Sequence, residues 1–163
     1  MRYLLFAALA LAAGCARAAE QPAAAPAVPD SATTINAATE LARRYTEAWL
    51  TADGAAVAAT FTESGTAAFL GFPTTTGRQG IQSLYASAFQ ALGHPKGGLL
   101  SVRLARAVAP GTLGVLGTSW DTFDSSGTAR TTYWRWAATV RQEADGQWRF
   151  AYLMGFPDSV TRK

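Results

Sequence analysis

The hydrophobic period of this chain changes at about its sixtieth percentile, and that change limits the folds open to it. Residues 99–109, 113–124, 128–141 and 148–156 alternate apolar and polar positions, separated by Pro110-Gly111, Ser125-Ser126-Gly127 and Asp145-Gly146. Alternation with period two puts successive side chains on opposite faces of a strand. Connections this short, built from glycine and other turn residues, join neighbouring strands antiparallel. The C-terminal half is therefore expected to be a four-strand meander.

The preceding residues carry the helical period. In 32–50, Leu41, Tyr45, Ala48 and Trp49 fall on one face. Ala52-Asp53-Gly54 breaks that helix, and Asp53 suits the N-cap of a short second one carrying Val57 and Phe61. Residues 64–71 read as a strand, and 72–77 as a turn or short edge strand. Ile81, Leu84, Tyr85, Ala88 and Leu92 form the stripe of a third helix, with Gly93 placed to end it and Pro95 to prevent continuation. Helices first and sheet afterwards give an α+β class, N-terminal helices packed on an antiparallel sheet.

The first residues read as a leader. Arg2 precedes an apolar stretch, 3–13, too short to span a bilayer as a helix. Leu11-Ala12-Ala13-Gly14-Cys15 resembles a bacterial lipobox, in which the cysteine is lipidated. Ala16-Arg17-Ala18 offers a competing cleavage site that would discard Cys15. Residues 19–31 contain Pro22, Pro26 and Pro29 among alanines and read as an extended tether. The expected organisation is a signal peptide over 1–18, a tether over 19–31, one domain over 32–157 and a tail over 158–163. That places the domain outside the cytoplasm, as a periplasmic lipoprotein held to the membrane only by a lipid anchor.

Composition and absent motifs exclude several functions. Lysine and arginine number 14 against 11 acidic residues, a formal charge of +3 without a basic run, so nucleic acid is not an expected partner. One cysteine and one histidine, His94, leave no metal site to expect and no intramolecular disulfide. Walker, dinucleotide-binding, zinc-protease and nucleophile-elbow motifs are absent, and no cofactor is expected.

The order of elements, with Tyr45-x-x-Ala48-Trp49 ahead of Asp53, Phe61 leading into a strand, Gly77-Arg78-Gln79-Gly80-Ile81 opening a helix and Asp145-Gly146-Gln147-Trp148-Arg149 opening the last strand, resembles the nuclear transport factor 2-like superfamily. More narrowly it is similar to SnoaL-like and ketosteroid isomerase-like proteins. The resemblance implies a cystatin-like cone: a strongly curved sheet closed by helices around a pocket, often dimeric through the sheet's outer face. Such folds host isomerases, cyclases and dehydratases as well as pure binders, so fold does not give function. Ketosteroid isomerase-like enzymes use an aspartate base and an oxyanion hole of tyrosine and protonated acid.

A three-residue loop at 125–127 would set Asp121 opposite Thr131 and Ser119 opposite Tyr133. One face would then collect Ser119, Asp121, Tyr133, Arg135, Trp148, Phe150, Tyr152 and Met154, the expected pocket together with Tyr45 and Trp49 from the first helix. Trp120, Trp134 and Trp136 would fall on the other face, a candidate homodimer surface. A change of one residue in that loop reverses the assignment. Asp121 is the candidate acid or base, because a carboxyl among aromatic rings has its pKa raised; Tyr133 and Tyr152 are the candidate hydroxyl partners. The competing reading pairs Asp121 with Arg135. His94 reads as a solvated loop residue, and Arg78 as a surface arginine or an anion contact. The expected function is binding of a small apolar or amphipathic molecule. The alternatives are a cofactor-independent isomerase, cyclase or hydratase using Asp121, and a structural envelope protein whose cone is filled by side chains.

Overall fold

The computed structural model describes residues 31–125 and 127–162. The expected leader, Cys15 and the tether up to residue 30 lie outside the described residues; Ser31, the last residue expected in the tether, is helical. Helix α1 spans Ser31–Leu50, α2 Gly54–Ala59 and α3 Arg78–Leu92. Strands β1 (Phe61–Phe69), β2 (Thr75–Thr76), β3 (Gly97–Ala109), β4 (Thr112–Ser125), β5 (Thr128–Gln142) and β6 (Trp148–Arg162) form one six-stranded sheet in the order β2-β1-β6-β5-β4-β3.

Local chemistry explains the boundaries. The Asp53 carboxylate accepts the Ala55 and Ala56 N–H groups at 2.9 Å each, capping α2. Gly93 takes φ 82°, the left-handed conformation that ends α3. Helix α1 lies across β3 and is clasped at two points. The Thr46 hydroxyl accepts the Leu100 N–H at 3.1 Å, and the Thr34 hydroxyl donates to the Ala105 carbonyl at 3.3 Å. Leu41, Val57, Phe61, Ile81, Leu113, Val140, Phe150 and Leu153 are the large side chains buried completely between helices and sheet.

Four features depart from the sequence reading. Phe61 starts β1 rather than lining α2: the chain passes directly from the α2 cap into the strand, where the Thr60 carbonyl accepts the Phe150 N–H at 2.9 Å. β1 pairs with β6 in parallel, so the sheet is mixed, not wholly antiparallel. The expected tail is strand, because β6 continues to Arg162. Finally, Ser125 pairs with Thr128, leaving a two-residue connection between β4 and β5. Two-residue turns follow strand twist well and here use Gly127 at φ 78°. The pairing consequently slips by one: Asp121 faces Thr132, Ser119 faces Trp134 and Gly117 faces Trp136.

Away from its turn the last hairpin follows the expected register, with Thr139 opposite Tyr152 and Ala137 opposite Met154. Nearer the turn, past a bulge between Thr139 and Val140, the pairing is shifted by one, so Val140 faces Phe150. Phe150 and Tyr152 consequently point to opposite faces although they are two residues apart, which strict alternation forbids.

Candidate functional site

The helices do not fill the cone. A cavity of about 400 Å³ remains between α1, α3 and the inner face of β4, β5 and β6. The reading of a cone filled by side chains fails on that volume. Helix α1 supplies Tyr45 and Trp49, α3 supplies Tyr85, β4 supplies Ser119, Asp121 and Phe123, and β5 supplies Thr132, Trp134 and Trp136.

Glycines seat the aromatic rings. A Cβ on Gly97 would stand 2.9 Å from the Trp120 ring, and one on Gly98 would stand 3.2 Å from the Trp49 ring. A Cβ on Gly155 would meet Phe69 at 2.7 Å, and one on Gly117 would overlap both the Trp136 ring and the Ser101 carbonyl oxygen. Glycine inside a strand marks this kind of close approach. The rings lean on one another at steep angles: Trp49 meets Phe123 at 5.7 Å and 84°, and Tyr85 at 5.7 Å and 86°. Edge-to-face pairs of this kind hold ring orientation as well as burying area.

Two polar features interrupt the apolar wall. The Asp121 Oδ2 accepts the Trp134 indole N–H at 2.7 Å. Burial pushes the Asp121 carboxyl up to about 6, against the lowering effects of the Trp134 hydrogen bond and the Arg130 charge. The second feature is a hydroxyl pair, Tyr45 and Tyr85, with oxygens 2.7 Å apart. Burial drives both phenols up, and the Asp121 charge adds to the effect on Tyr45. The Asp121 charge therefore reaches Tyr45 across the cavity.

Of the expected pocket residues, Tyr45, Trp49, Ser119 and Asp121 converge on the cavity. Phe150 is buried in the core beneath it, and Trp148 packs against that core. Tyr133, Arg135, Tyr152 and Met154 do not line the cavity: the one-residue slip of β4 against β5 turns them to the outer face, and the bulge leaves Phe150 facing inward. There Tyr152 and Met154 flank a shallow depression with Leu116 and Ala137. Tyr133 is therefore no partner for Asp121, and Arg135 pairs with Asp158 at 3.3 Å instead. The slip likewise carries Trp134 and Trp136 inward to the cavity, whereas Trp120, opposite Tyr133, stays partly exposed at its edge, so the three rings do not share one outward face. Arg78 is structural. Its Nε–H donates to the Phe61 carbonyl at 2.8 Å, and its guanidinium pairs with Glu63 and Glu143. His94 is exposed in its loop. Among the described residues no three His, Cys, Asp or Glu side chains converge where a metal could bind.

The sequence reading missed Tyr85, Phe123, Trp134 and Arg130 as lining residues. Tyr85 lies on the α3 stripe, a pattern that marks the packed face of the helix without saying what it faces. Phe123 shares the face of Asp121 by alternation along β4 alone; Trp134 and Arg130 depend on register, and the signal that could have fixed it was Gly127, suited to a two-residue turn.

No family model matches the sequence, and no curated protein matches it either. Solved structures do resemble it. A ketosteroid isomerase-like protein from Erwinia carotovora atroseptica superposes with TM-score 0.65 at 21% identity, over 78% of this chain and 95% of the other. A nuclear transport factor 2-like protein with a cystatin-like fold from Novosphingobium aromaticivorans gives TM-score 0.59 at 25% identity, over 78% and 84%. A domain with a cystatin-like fold from Nostoc punctiforme gives 0.66 at 17%, over 80% of each chain. The fold is thus that of the ketosteroid isomerase-like, nuclear transport factor 2-like proteins, and this likeness identifies no specific reaction.

Proposed function

We propose that this chain binds a small, mostly apolar molecule inside the cone, with Asp121 as its polar anchor. One observation carries the reading: a cavity of about 400 Å³ walled by aromatic rings, with a single carboxyl in its lining among the described residues. That volume falls in the range of small-molecule sites, which combine an apolar wall with a few placed polar groups. No cofactor enters the proposal. The leader read from the sequence supports a location outside the cytoplasm, with Cys15 as the acylated residue.

Native mass spectrometry of the protein purified from its own envelope tests the binding reading. A ligand-sized mass should accompany the wild-type chain and be lost when Ala88→Trp fills the cavity. Wild-type protein that carries no ligand, and whose tryptophan fluorescence ignores apolar probes, would sink it.

A second reading is favoured by one observation, the Asp121 carboxyl pushed up to about 6 beside a buried tyrosine pair. A group that titrates near neutrality is suited to general acid–base chemistry. The alternative is accordingly a cofactor-independent isomerase, cyclase or hydratase with Asp121 moving the proton. Recovery of the co-purified ligand unchanged after long incubation with wild-type protein would count against catalysis.

A further inference from the structure

We propose that the cavity selects organic cations: apolar molecules with an ammonium or similar positive centre, seated between the aromatic rings and Asp121. The inference rests on the small-molecule reading and names the chemical class of its ligand.

Charge gives the first argument. Among the described residues Asp121 is the only acidic one lining the cavity, and Arg130 the only basic one. Among the described residues Asp121 forms no ion pair; the one side chain bonded to it is the neutral Trp134 indole, through Oδ2. One neutral donor does not compensate a carboxylate in apolar surroundings, where an unpaired charge is costly. Arg130 is exposed, so its charge reaches Asp121 from the solvent side. The inner cavity is left with an anionic group without a cationic partner.

The rings give the second argument. Trp49 stands nearly perpendicular to Phe123 and to Tyr85, and nearly parallel to Tyr45 at 8°. These rings line the cavity from α1, α3 and β4, and Trp134 and Trp136 add rings from β5, so aromatic walls stand on several sides of it. Aromatic faces carry negative potential and attract cations, most strongly when water is excluded. A cation gains from the rings and from the carboxylate. An anion is repelled by both, and a neutral molecule gains from neither charge effect. The volume leaves room for an apolar body behind the charged group.

Two probes of one shape isolate the charge: benzyltrimethylammonium and its neutral isostere neopentylbenzene, titrated at neutral to basic pH against the purified chain by tryptophan fluorescence. The cation should bind about tenfold more tightly or better, the factor that roughly 1.4 kcal/mol provides. In Asp121→Asn the preference should fall to about threefold or less, with rings alone acting. In Arg130→Gln the cation should bind more tightly than to wild type, a gain that no loss of folding can imitate. Equal binding of the two probes to wild type, or an undiminished preference in Asp121→Asn, overturns the cation inference and leaves small-molecule binding standing. Binding of neither probe overturns both.

Discussion

At the scale of a residue, Asp121 decides most. Its folded-state pKa of about 6 lies above the ordinary 3.8, so folding favours the protonated form. The resulting stability is fully present below about pH 4 and is lost as pH rises through about 6. Asp121→Asn keeps an acceptor for the Trp134 N–H and removes the charge. The variant should gain about 2 kcal/mol over wild type at about pH 8, with the difference closing near pH 3.5. Urea denaturation of both proteins at the two pH values measures this; a constant offset would contradict it. Asp121 was legible in the sequence, because an acid beside Trp120 in an alternating strand is conspicuous. Its partners were not. The indole of Trp134 reaches it only through a register that one residue of loop length controls, and Tyr85 carries the same stripe signature whether its hydroxyl is used or merely buried.

Register, bulges and caps belong to the elements. The period of two showed where the strands lie and which hairpins join them, but not the parity of β4 against β5. Tyr133 and Trp134 exchange faces with a single residue of loop, and the bulge at Thr139/Val140 separates Phe150 from Tyr152 without any mark in the composition. Gly117 tests the observed parity directly. Gly117→Ala would drive a methyl group into the Trp136 ring and the Ser101 carbonyl, and should cost about 3 kcal/mol or more. Gly114→Ala, three residues earlier on the same strand, meets only the Val108 side chain at 3.3 Å and should cost clearly less. Thermal melts of both variants compare the two; similar losses would mean that Trp136 does not lie over Gly117. At the other end of the chain, Asp53→Ala removes the α2 cap and should cost about 1 kcal/mol, read as a fall in the urea midpoint with unchanged slope.

For the molecule as a whole, the order of helices and strands, with a few weak motifs, was enough to suggest the cone. The parallel contact that joins β1 to the sheet was not legible, since β1 and β6 are separated by most of the domain and no local signal links them. Location is the other question at this scale. If Cys15 carries the acyl group, the wild-type protein should fractionate with membranes and Cys15→Ser should not. Soluble wild-type protein beginning after Ala18 would instead assign the cut to Ala16-Arg17-Ala18.

The placement of β6 has a consequence for the order of assembly. β6 lies between β1 and β5, so β1 lacks its main sheet neighbour until residues 148–162 have been synthesised. Helices and the β3–β5 ladder can form from nearby residues, whereas the β1–β6 pairing must wait for a contact that spans the domain, the kind that slows folding. A growing chain therefore stays open along one flank until its final strand arrives. That same late strand delivers Leu153 and Gly155 to the cavity, so no ligand can find a finished site on a nascent chain.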